Sequence, residues 1–390
     1  MVSMKSLIIV PGMPAPTEAL GAVLVRDLLV DGEHWAKGRR LSVYDVERIV
    51  RPGVEVDLGP RGAGLAESRP GRTHAARSLA PASLDARSFT ILVLEPGDVH
   101  EDEAALRLAT AVAGSSIELR GPAESRIDLA ARADGVLRVR AERVERIDRI
   151  DPLQLFTLYD GQSVSVGQVV ASVKIGPHAV PQDLLERGLR IARSGPPLVW
   201  VAPFIPRRVA AVVRETVRVV ARDRFERGVG ARVQSLGSTL TGIAYATTAD
   251  EVVDHLRRLT HGSERVDVVL TAGAASTDPT DPFFVAIGRL GGHVVRHGVP
   301  AHPGSMVWLA RIHGTDLLGL PTCGAYSKAT AADLLLPRLL TGERASSRMA
   351  ASLGHGGVLT RAMRFRFPAY ARALEAPVGG SWVGPAEAIE

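Results

Sequence analysis

Short apolar segments alternate with amphipathic segments over the second half of the chain, from residue 198 onward. Runs rich in valine, leucine and isoleucine predict strands at 208–214, 239–245, 266–271, 293–299, 306–312 and 317–320. Segments of helical period predict helices at 219–236, 249–259, 282–290 and 327–340, the last kinked at Pro337. Strands that alternate with helices predict a mainly parallel sheet with helices on both faces for residues 198–342.

The sequence before residue 88 predicts a small N-terminal unit followed by a linker. Residues 1–55 form a small unit with a strand at 6–10 and helical segments at 17–29 and 42–50. Residues 56–87 consist largely of glycine, proline, arginine and serine. Because such a composition cannot bury a core, this segment predicts a flexible linker.

A middle domain is predicted over residues 88–197. A strand at 89–94 precedes a helix that begins at Asp98, with Glu101 in the capping-box position. The acids that follow His100 lie in the first turn of that helix, where the helix dipole stabilises negative charge. This interpretation is favoured over a metal site. Short strands separated by glycine then predict a β-rich or α+β domain. Residues 343–390 form a C-terminal tail whose basic and aromatic part packs back on the protein.

Composition narrows the class of protein. With 390 residues, 46% of them hydrophobic and 23% charged, the chain predicts a globular protein of more than one domain. No apolar run approaches the roughly 20 residues of a membrane span, and no basic segment followed by an apolar core opens the chain. We therefore expect a cytoplasmic protein without a membrane partner. A single cysteine, Cys323, excludes an intramolecular disulfide.

A net charge of +5 and a pI near 9.7 raise the question of a nucleic-acid partner. The arginines are spread along the chain among nearly as many acids. No helix-turn-helix, zinc-finger or basic-aromatic motif accompanies them. No nucleic-acid partner is therefore expected.

Two predicted strand ends carry candidate ligand contacts. Thr271, Gly273 and Ser276 end or follow the strand at 266–271, and their small side chains let backbone amides approach a ligand. The candidate contacts of the second strand end are Gly319, Leu320, Pro321, Gly324, Ser327 and Lys328. Ligands of α/β sheets bind beyond the carboxyl ends of the strands, and helix N-termini attract phosphate. The two strand ends therefore predict a phosphorylated small-molecule ligand.

Two acids separate the first loop from its helix. Asp278 and Asp281 suit helix N-caps, and they also suit a Mg²⁺ ion held between carboxylates and a ligand phosphate. Both are candidates for a catalytic role. Asp281 is the stronger candidate for a metal ligand.

A Pro-Gly turn lies between the two loops in sequence. His302, Pro303, Gly304 and Ser305 form either a simple β-turn or a third wall of the same pocket. The two histidines of the preceding strand cannot share a metal ion, because four residues of a strand span about 13 Å. The chain has neither the dinucleotide-binding and phosphate-loop glycine motifs nor the nucleophile elbow of hydrolases.

These motifs resemble the MoaB/Mog-type molybdopterin-binding domain family, which includes molybdopterin adenylyltransferases and molybdenumtransferases. The matching residues are Thr271-Ala-Gly273-Ala-Ala-Ser276, Asp278 with Asp281, Gly291-Gly292, His302-Pro303-Gly304-Ser305, and Gly319-Leu320-Pro321 with Gly324. The resemblance covers residues 198–342. It implies molybdopterin or the molybdenum cofactor as ligand, Mg²⁺ as metal, a homo-oligomer, and a molybdoenzyme as recipient.

Departures from the family pattern leave more than one function open. The first strand ends Val213-Arg214-Glu215 where the family has a Gly-Asp-Glu-Leu-like loop, and Ser305 stands where transferases usually carry lysine or asparagine. The resemblance therefore implies either a Mg²⁺-dependent transferase acting on molybdopterin or its adenylylated form, or a non-catalytic carrier or sensor. Another phosphosugar- or nucleotide-binding α/β protein is the third hypothesis.

Overall fold

A computed structural model of the chain describes residues 5–58, 88–123, 125–214, 219–320 and 329–374. Its buried apolar side chains form one cluster in an N-terminal unit, one in a middle unit, and two in a C-terminal unit. The units comprise residues 5–58 with 88–93, residues 98–203, and residues 208–374. None of the helices among the described residues is long and apolar enough to cross a membrane.

The helices and strands are named in chain order. The helices are α1 (Val43–Val50), α2 (Glu101–Val112), α3 (Ala141–Asp148), α4 (Gln182–Arg193), α5 (Val219–Gln234), α6 (Ala249–Thr260), α7 (Pro282–Arg289), α8 (Ala332–Leu340), α9 (Ser347–Ala351) and α10 (Ala369–Leu374). The strands of the N-terminal and middle units are β1 (Lys5–Ile9), β2 (Val23–Leu24), β3 (Leu28–Val30), β4 (Glu33–Trp35), β5 (Val56–Asp57), β6 (Phe89–Val93), β7 (Asp98–His100), β8 (Ile117–Ala123), β9 (Arg126–Ala131), β10 (Gly135–Val139), β11 (Leu153–Thr157), β12 (Ser163–Val164), β13 (Val169–Ile175), β14 (Ala179–Pro181) and β15 (Val199–Pro203). The strands of the C-terminal unit are β16 (Arg208–Arg214), β17 (Thr239–Ala246), β18 (Val268–Ala272), β19 (His293–His297), β20 (Trp308–Ile312) and β21 (Thr315–Gly319).

The N-terminal unit contains two small sheets, with strand orders β1-β6-β2 and β4-β3-β5. Strand β6 pairs antiparallel with β1, so the strand predicted at the start of the middle domain lies in the N-terminal sheet. Strand β5 pairs with β3, although its residues fall within the predicted linker. The rest of that linker prediction, residues 59–87, lies outside the described residues.

The helix predicted at 17–29 is wrong. Thr17–Ala19 forms a short 3-10 turn, and the rest of the segment contains β2 and the start of β3. Asp31 and Gly32 have φ of +51° and +78°, the left-handed pair of a tight hairpin that joins β3 to β4. Strand pairing in this hairpin buries Leu28 and Val30, so tertiary pairing overrides the helix-like apolar spacing.

Helix α2 begins later than predicted. Asp98–His100 forms β7 and pairs with β14, so the helix starts at Glu101. Its N-cap is His100, whose Nδ1 accepts a hydrogen bond from the Asp102 N–H at 3.2 Å. The buried Glu101 carboxylate accepts a hydrogen bond from Nδ1 of His178 at 2.9 Å. The acidic run thus serves the start of a helix and its junction with the next segment.

The middle unit is α+β. Its largest sheet is antiparallel, with strand order β11-β13-β9-β8, and α2 and α4 contribute to the core that covers it. Helices α3 and α4 were not predicted. In α4 the buried positions Leu185, Leu189 and Ala192 have helical spacing. Charged residues separate them in sequence, so the apolar period was not recognised.

The C-terminal unit is built on one mixed sheet of six strands in the order β17-β16-β18-β21-β20-β19. The pairs β17-β16, β16-β18 and β18-β21 are parallel, whereas β21-β20 and β20-β19 are antiparallel. The sheet was predicted to be mainly parallel, and it is a mixed sheet with three parallel and two antiparallel pairs. The reason is the short turn between Ile312 and Thr315, because parallel neighbours need a much longer crossover.

Helices cover both faces of this sheet. Along β16, Val209, Ala211 and Val213 point to one buried cluster, and Ala210 and Val212 point to the other. Helices α5, α8, α9 and α10 contribute to the first cluster, and α6 and α7 contribute to the second. The C-terminal segment after α8 is thus part of the core of this unit.

A shared carboxylate joins the middle and C-terminal units. Oε1 of Glu343 accepts a hydrogen bond from Nη2 of Arg338, at the end of α8, at 2.6 Å. Its Oε2 accepts one from Nη1 of Arg138, in β10, also at 2.6 Å. Burial alone would raise the pKa of Glu343, but the two guanidinium groups outweigh burial and lower it below its ordinary value of 4.5.

Glu343→Gln should lower the free energy of unfolding at pH 7 by about 1–3 kcal/mol, because both arginines lose a charged partner. The depressed folded-state pKa means that this contribution is complete above pH 4.5 and is lost as pH falls through the folded-state value. Urea unfolding over a pH series should therefore show a steeper acid loss in the wild type than in the variant. Glu47→Gln, at an exposed position of α1, is the control and should leave the slope unchanged. Parallel curves for wild type and Glu343→Gln would contradict this role of the bridge.

Candidate functional site

The ends of two neighbouring parallel strands form the centre of the candidate site. Thr271 in β18 lies opposite Gly319 in β21, and the Leu320 N–H donates to the Thr271 carbonyl at 2.8 Å. The two loops predicted from the sequence therefore leave the sheet side by side. They do so at the carboxyl edge of the parallel strands, where α/β sheets bind ligands.

The first loop turns sharply after β18. Gly273 has φ of +86°, a conformation that strains any residue with a Cβ. Ser276 is half-buried, and its carbonyl accepts a hydrogen bond from Nε2 of His297. Asp278 is exposed, and its Oδ1 accepts hydrogen bonds from Oγ1 and the N–H of Thr280 at 2.6 and 2.8 Å. These bonds from Thr280 hold the pKa of Asp278 below its usual value, so this exposed acid is ionised at neutral pH.

Asp281 is buried at the N-terminus of α7, and both of its carboxylate oxygens have partners. Oδ1 accepts a hydrogen bond from the Phe283 N–H at 2.9 Å, which caps the helix. Oδ2 accepts hydrogen bonds from the Ala275 N–H at 2.7 Å and from Nη1 of Arg214 at 3.0 Å. One carboxylate thus joins the first loop, α7 and the end of β16.

These contacts bear on the predicted metal site. The Arg214 guanidinium places beside Oδ2 the positive charge that Mg²⁺ would supply, and an ion bound there would have to displace it. Among the residues that the structure describes, no three His, Cys, Asp or Glu side chains are grouped so that they could hold a metal. The catalytic roles of Asp278 and Asp281, and a metal on Asp281, stay predictions. The contacts observed at Asp281 are those of a helix cap and an ion pair.

The Pro-Gly turn packs where the chain enters α8. The Ala331 N–H donates to the Pro303 carbonyl at 3.0 Å. Gly304 has φ of +105°, and a Cβ there would lie 2.6 Å from the Ala331 nitrogen, so this close approach requires glycine. The turn therefore lies against the chain that returns from the second loop.

The other residues of the turn are held through their backbone. The exposed His302 pairs with the C-terminal segment, donating its N–H to Gly357 and accepting from the Leu359 N–H, both at 2.8 Å. The Ser305 carbonyl accepts from the Val299 N–H at 2.9 Å. Within the described part of the chain, the side chains of His302 and Ser305 make no hydrogen bond.

The strand that leads into the second loop ends at Gly319, against the buried indole of Trp308. Trp308 lies opposite Gly319, and a Cβ at Gly319 would overlap the Trp308 ring, so packing alone demands glycine here. Leu320 is buried. The remaining predicted contacts, which are Pro321, Gly324, Ser327 and Lys328, lie outside the described residues, as do Cys323 and Glu215.

One buried hydroxyl at this edge has no hydrogen-bond partner among the residues that the structure describes. Oγ1 of Thr271 is inaccessible to solvent and makes no hydrogen bond within the described residues. Leaving a buried hydroxyl unpaired costs about 1–3 kcal/mol. A ligand atom that bonds to this hydroxyl would recover that free energy.

Arg214 was not predicted as a site residue. Its pairing with Asp281 joins positions 67 apart in sequence, and the only signal was its place at the end of the first parallel strand. The contact between the rings of Phe284 and His297, with centroids 5.0 Å apart, was missed as well. His297 is one of the two histidines for which a shared metal ion was excluded, and no other role was predicted for it. Its Nε2 donates a hydrogen bond to the carbonyl of Ser276.

No family model matches the chain, and no curated protein matches it. Among solved structures, a molybdopterin biosynthesis MoeA protein from Pyrococcus horikosii is similar over 65% of this chain and 80% of that chain, with 17% identity and a TM-score of 0.26. A NadC deletion mutant is similar over 42% of this chain and 68% of that chain, with 10% identity and a TM-score of 0.14. At these TM-scores neither likeness carries an argument about fold or function.

Asp281→Asn keeps a side chain that can cap α7 but removes the charge that faces Arg214. We expect it to lower the free energy of unfolding by about 1–3 kcal/mol, because the guanidinium loses this carboxylate. Asp281→Ala also removes the helix cap and should lower the free energy of unfolding by about 0.5–2 kcal/mol more. Urea denaturation measures both changes.

A double-mutant cycle with Arg214→Gln isolates the ion pair. Arg214→Gln should cost less in the Asp281→Asn background than in the wild type, and additive losses would show that the two side chains are not coupled. Asp278→Asn is the matched control on the same loop. It is exposed and should change the stability by less than about 0.5 kcal/mol.

Proposed function

We propose that the carboxyl edge of the C-terminal sheet binds a molybdopterin-type ligand, and that the protein acts in molybdenum cofactor biosynthesis, insertion or delivery. The observation that carries this proposal is the meeting of separate motif-bearing segments at one edge. The loop after Thr271 starts beside Leu320, and the Pro303-Gly304 turn packs on the start of α8. Each segment bears a motif that resembles the molybdopterin-binding domain family.

The residues at this edge suit a ligand with a phosphate group and polar ring atoms. Gly273 gives backbone N–H groups a close approach to an anion, and the unpartnered hydroxyl of Thr271 offers a further hydrogen bond. In this proposal Thr271, Gly273 and Ser276 contact the ligand from the first loop. His302 and Ser305, whose side chains make no hydrogen bond in the described residues, contact it from the turn.

Between a transferase and a carrier, the contacts of Asp281 favour a carrier. Metal-dependent transfer needs a carboxylate that is free to hold Mg²⁺, and both oxygens of Asp281 are already bonded. Asp278, ionised and exposed, is the acid of this loop that remains for a metal-dependent step. A homo-oligomer and a molybdoenzyme recipient complete the proposal, and both rest on the family resemblance.

Thr271→Val tests the binding site. Valine keeps the shape of threonine and removes an unpaired buried hydroxyl, so the thermal stability should stay equal or rise. If the hydroxyl bonds to the ligand, the affinity for molybdopterin should fall about tenfold, the effect of one hydrogen bond to a charged group. Fluorescence of the oxidised pterin released from protein purified after equilibration with molybdopterin measures retention.

Thr315→Val is the matched control at the opposite end of β21. Its buried hydroxyl donates to the Val266 carbonyl at 2.7 Å, so its loss should lower stability and leave ligand affinity unchanged. Absence of molybdopterin binding by the wild type would overturn the proposed function. Equal affinities of wild type and Thr271→Val would place the ligand elsewhere.

Incubation with adenylylated molybdopterin, Mg²⁺ and molybdate separates the carrier from the transferase. We expect stable retention of the ligand without release of AMP, because Arg214 occupies the position of a metal beside Asp281. Chromatographic detection of AMP measures turnover. Catalytic release of AMP that is lost in Asp278→Asn would establish the transferase and contradict the carrier.

A further inference from the structure

A group of arginines lines a cavity on the middle unit. The cavity is a depression between α3 and α4 that is widely open to solvent, with a volume of about 490 Å³ and with all of its arginine side chains exposed. Its lining residues are Arg146, Arg149, Ile150, Arg187, Arg190, Ile191 and Ser194. Four cations and no carboxylate therefore face one concave space, and none of these residues belongs to the carboxyl edge of the C-terminal sheet.

Most of these arginines lack a partner. Within the described part of the chain, Arg146, Arg187 and Arg190 make no ion pair and no side-chain hydrogen bond. Arg149 meets Glu145 at 3.4 Å, but both side chains are at least 70% exposed, and such pairs contribute little. Among the described residues, three of the four arginines of the cavity therefore have no acidic partner.

Arg146 lies in the last turn of α3 and Arg190 in the last turn of α4, where cations suit the helix dipole. Cations near a helix C-terminus can bond its last carbonyls, but those of Ile191 and Ala192 in α4 already accept from Nη2 of Arg143, at 3.0 and 2.5 Å. Burial lowers the pKa of Arg143, and repulsion from Arg140 and Arg146 lowers it further. The positive potential of this face therefore reaches the arginine behind it.

We propose that this cavity binds a compact polyanion of the oligophosphate class, such as tripolyphosphate or the phosphate chain of a nucleotide. Guanidinium groups form paired hydrogen bonds with phosphate oxygens. Four like charges around one space repel each other, and an anion with several charges removes that repulsion. The cavity falls within the range of about 300–1,000 Å³ that small-molecule sites occupy.

Isothermal titration of the full-length protein with sodium tripolyphosphate, at about 150 mM salt to screen weak surface attraction, tests the proposal. We expect one saturable site per chain. Arg187→Gln combined with Arg190→Gln should weaken binding about tenfold or more, because two charge-assisted contacts are lost. Arg187→Lys with Arg190→Lys keeps the charge but replaces the planar guanidinium groups. The affinity of this variant should therefore lie between those of the wild type and the double glutamine variant.

Arg257→Gln with Arg258→Gln removes the same charge from the exposed side of α6 and is the matched control, which should bind as the wild type does. Equal weakening in the control would assign binding to overall charge and overturn the site. Unchanged affinity in the Arg187 and Arg190 glutamine variant would place the anion elsewhere, including the carboxyl edge, and would also overturn it. If that variant does not show the wild-type unfolding transition, the single variant Arg146→Gln decides by the same criteria.

Discussion

The missing side chain at Gly319 is the constraint on which the C-terminal unit depends. The fully buried indole of Trp308 occupies the space where a Cβ would stand. The same indole lies 5.2 Å from the ring of Phe284 in α7, and that ring lies 5.0 Å from His297. His297 in turn bonds the carbonyl of Ser276 in the first loop. A contact inside the sheet thus fixes the position of a loop at its edge.

An ion pair between the buried Asp281 and the partly exposed Arg214 lies at that edge. Asp281 holds Arg214 at the end of β16 while it caps α7 and bonds the backbone of the first loop. A carboxylate with this many partners is part of the scaffold, and the guanidinium beside it balances its charge. In the proposed function the Thr271 hydroxyl, which has no hydrogen-bond partner among the described residues, contacts the ligand beside this pair.

Many of the arginines that give the chain its basic pI stabilise the fold. Many of its guanidinium groups bond acids or carbonyls that lie far away in sequence. Arg138 and Arg338 share Glu343 between two units, and the buried Arg232 bonds Asp333 at 2.9 Å between α5 and α8. The arginines between α3 and α4 differ because they face one cavity without such partners. Their placement, rather than the total charge, points to a ligand.

The sequence by itself determined features that depend on near neighbours in the chain. Apolar periodicity located β16 and α6, and an acid before a proline marked the cap of α7 at Asp281. Only the tertiary structure decided the pairing of β6 with β1, the reversal of β20, and the meeting of Arg214 with Asp281. Periodicity and capping involve residues a few positions apart. Strand order and ion pairs depend on which apolar faces are buried together, and that choice depends on the packing of the whole chain.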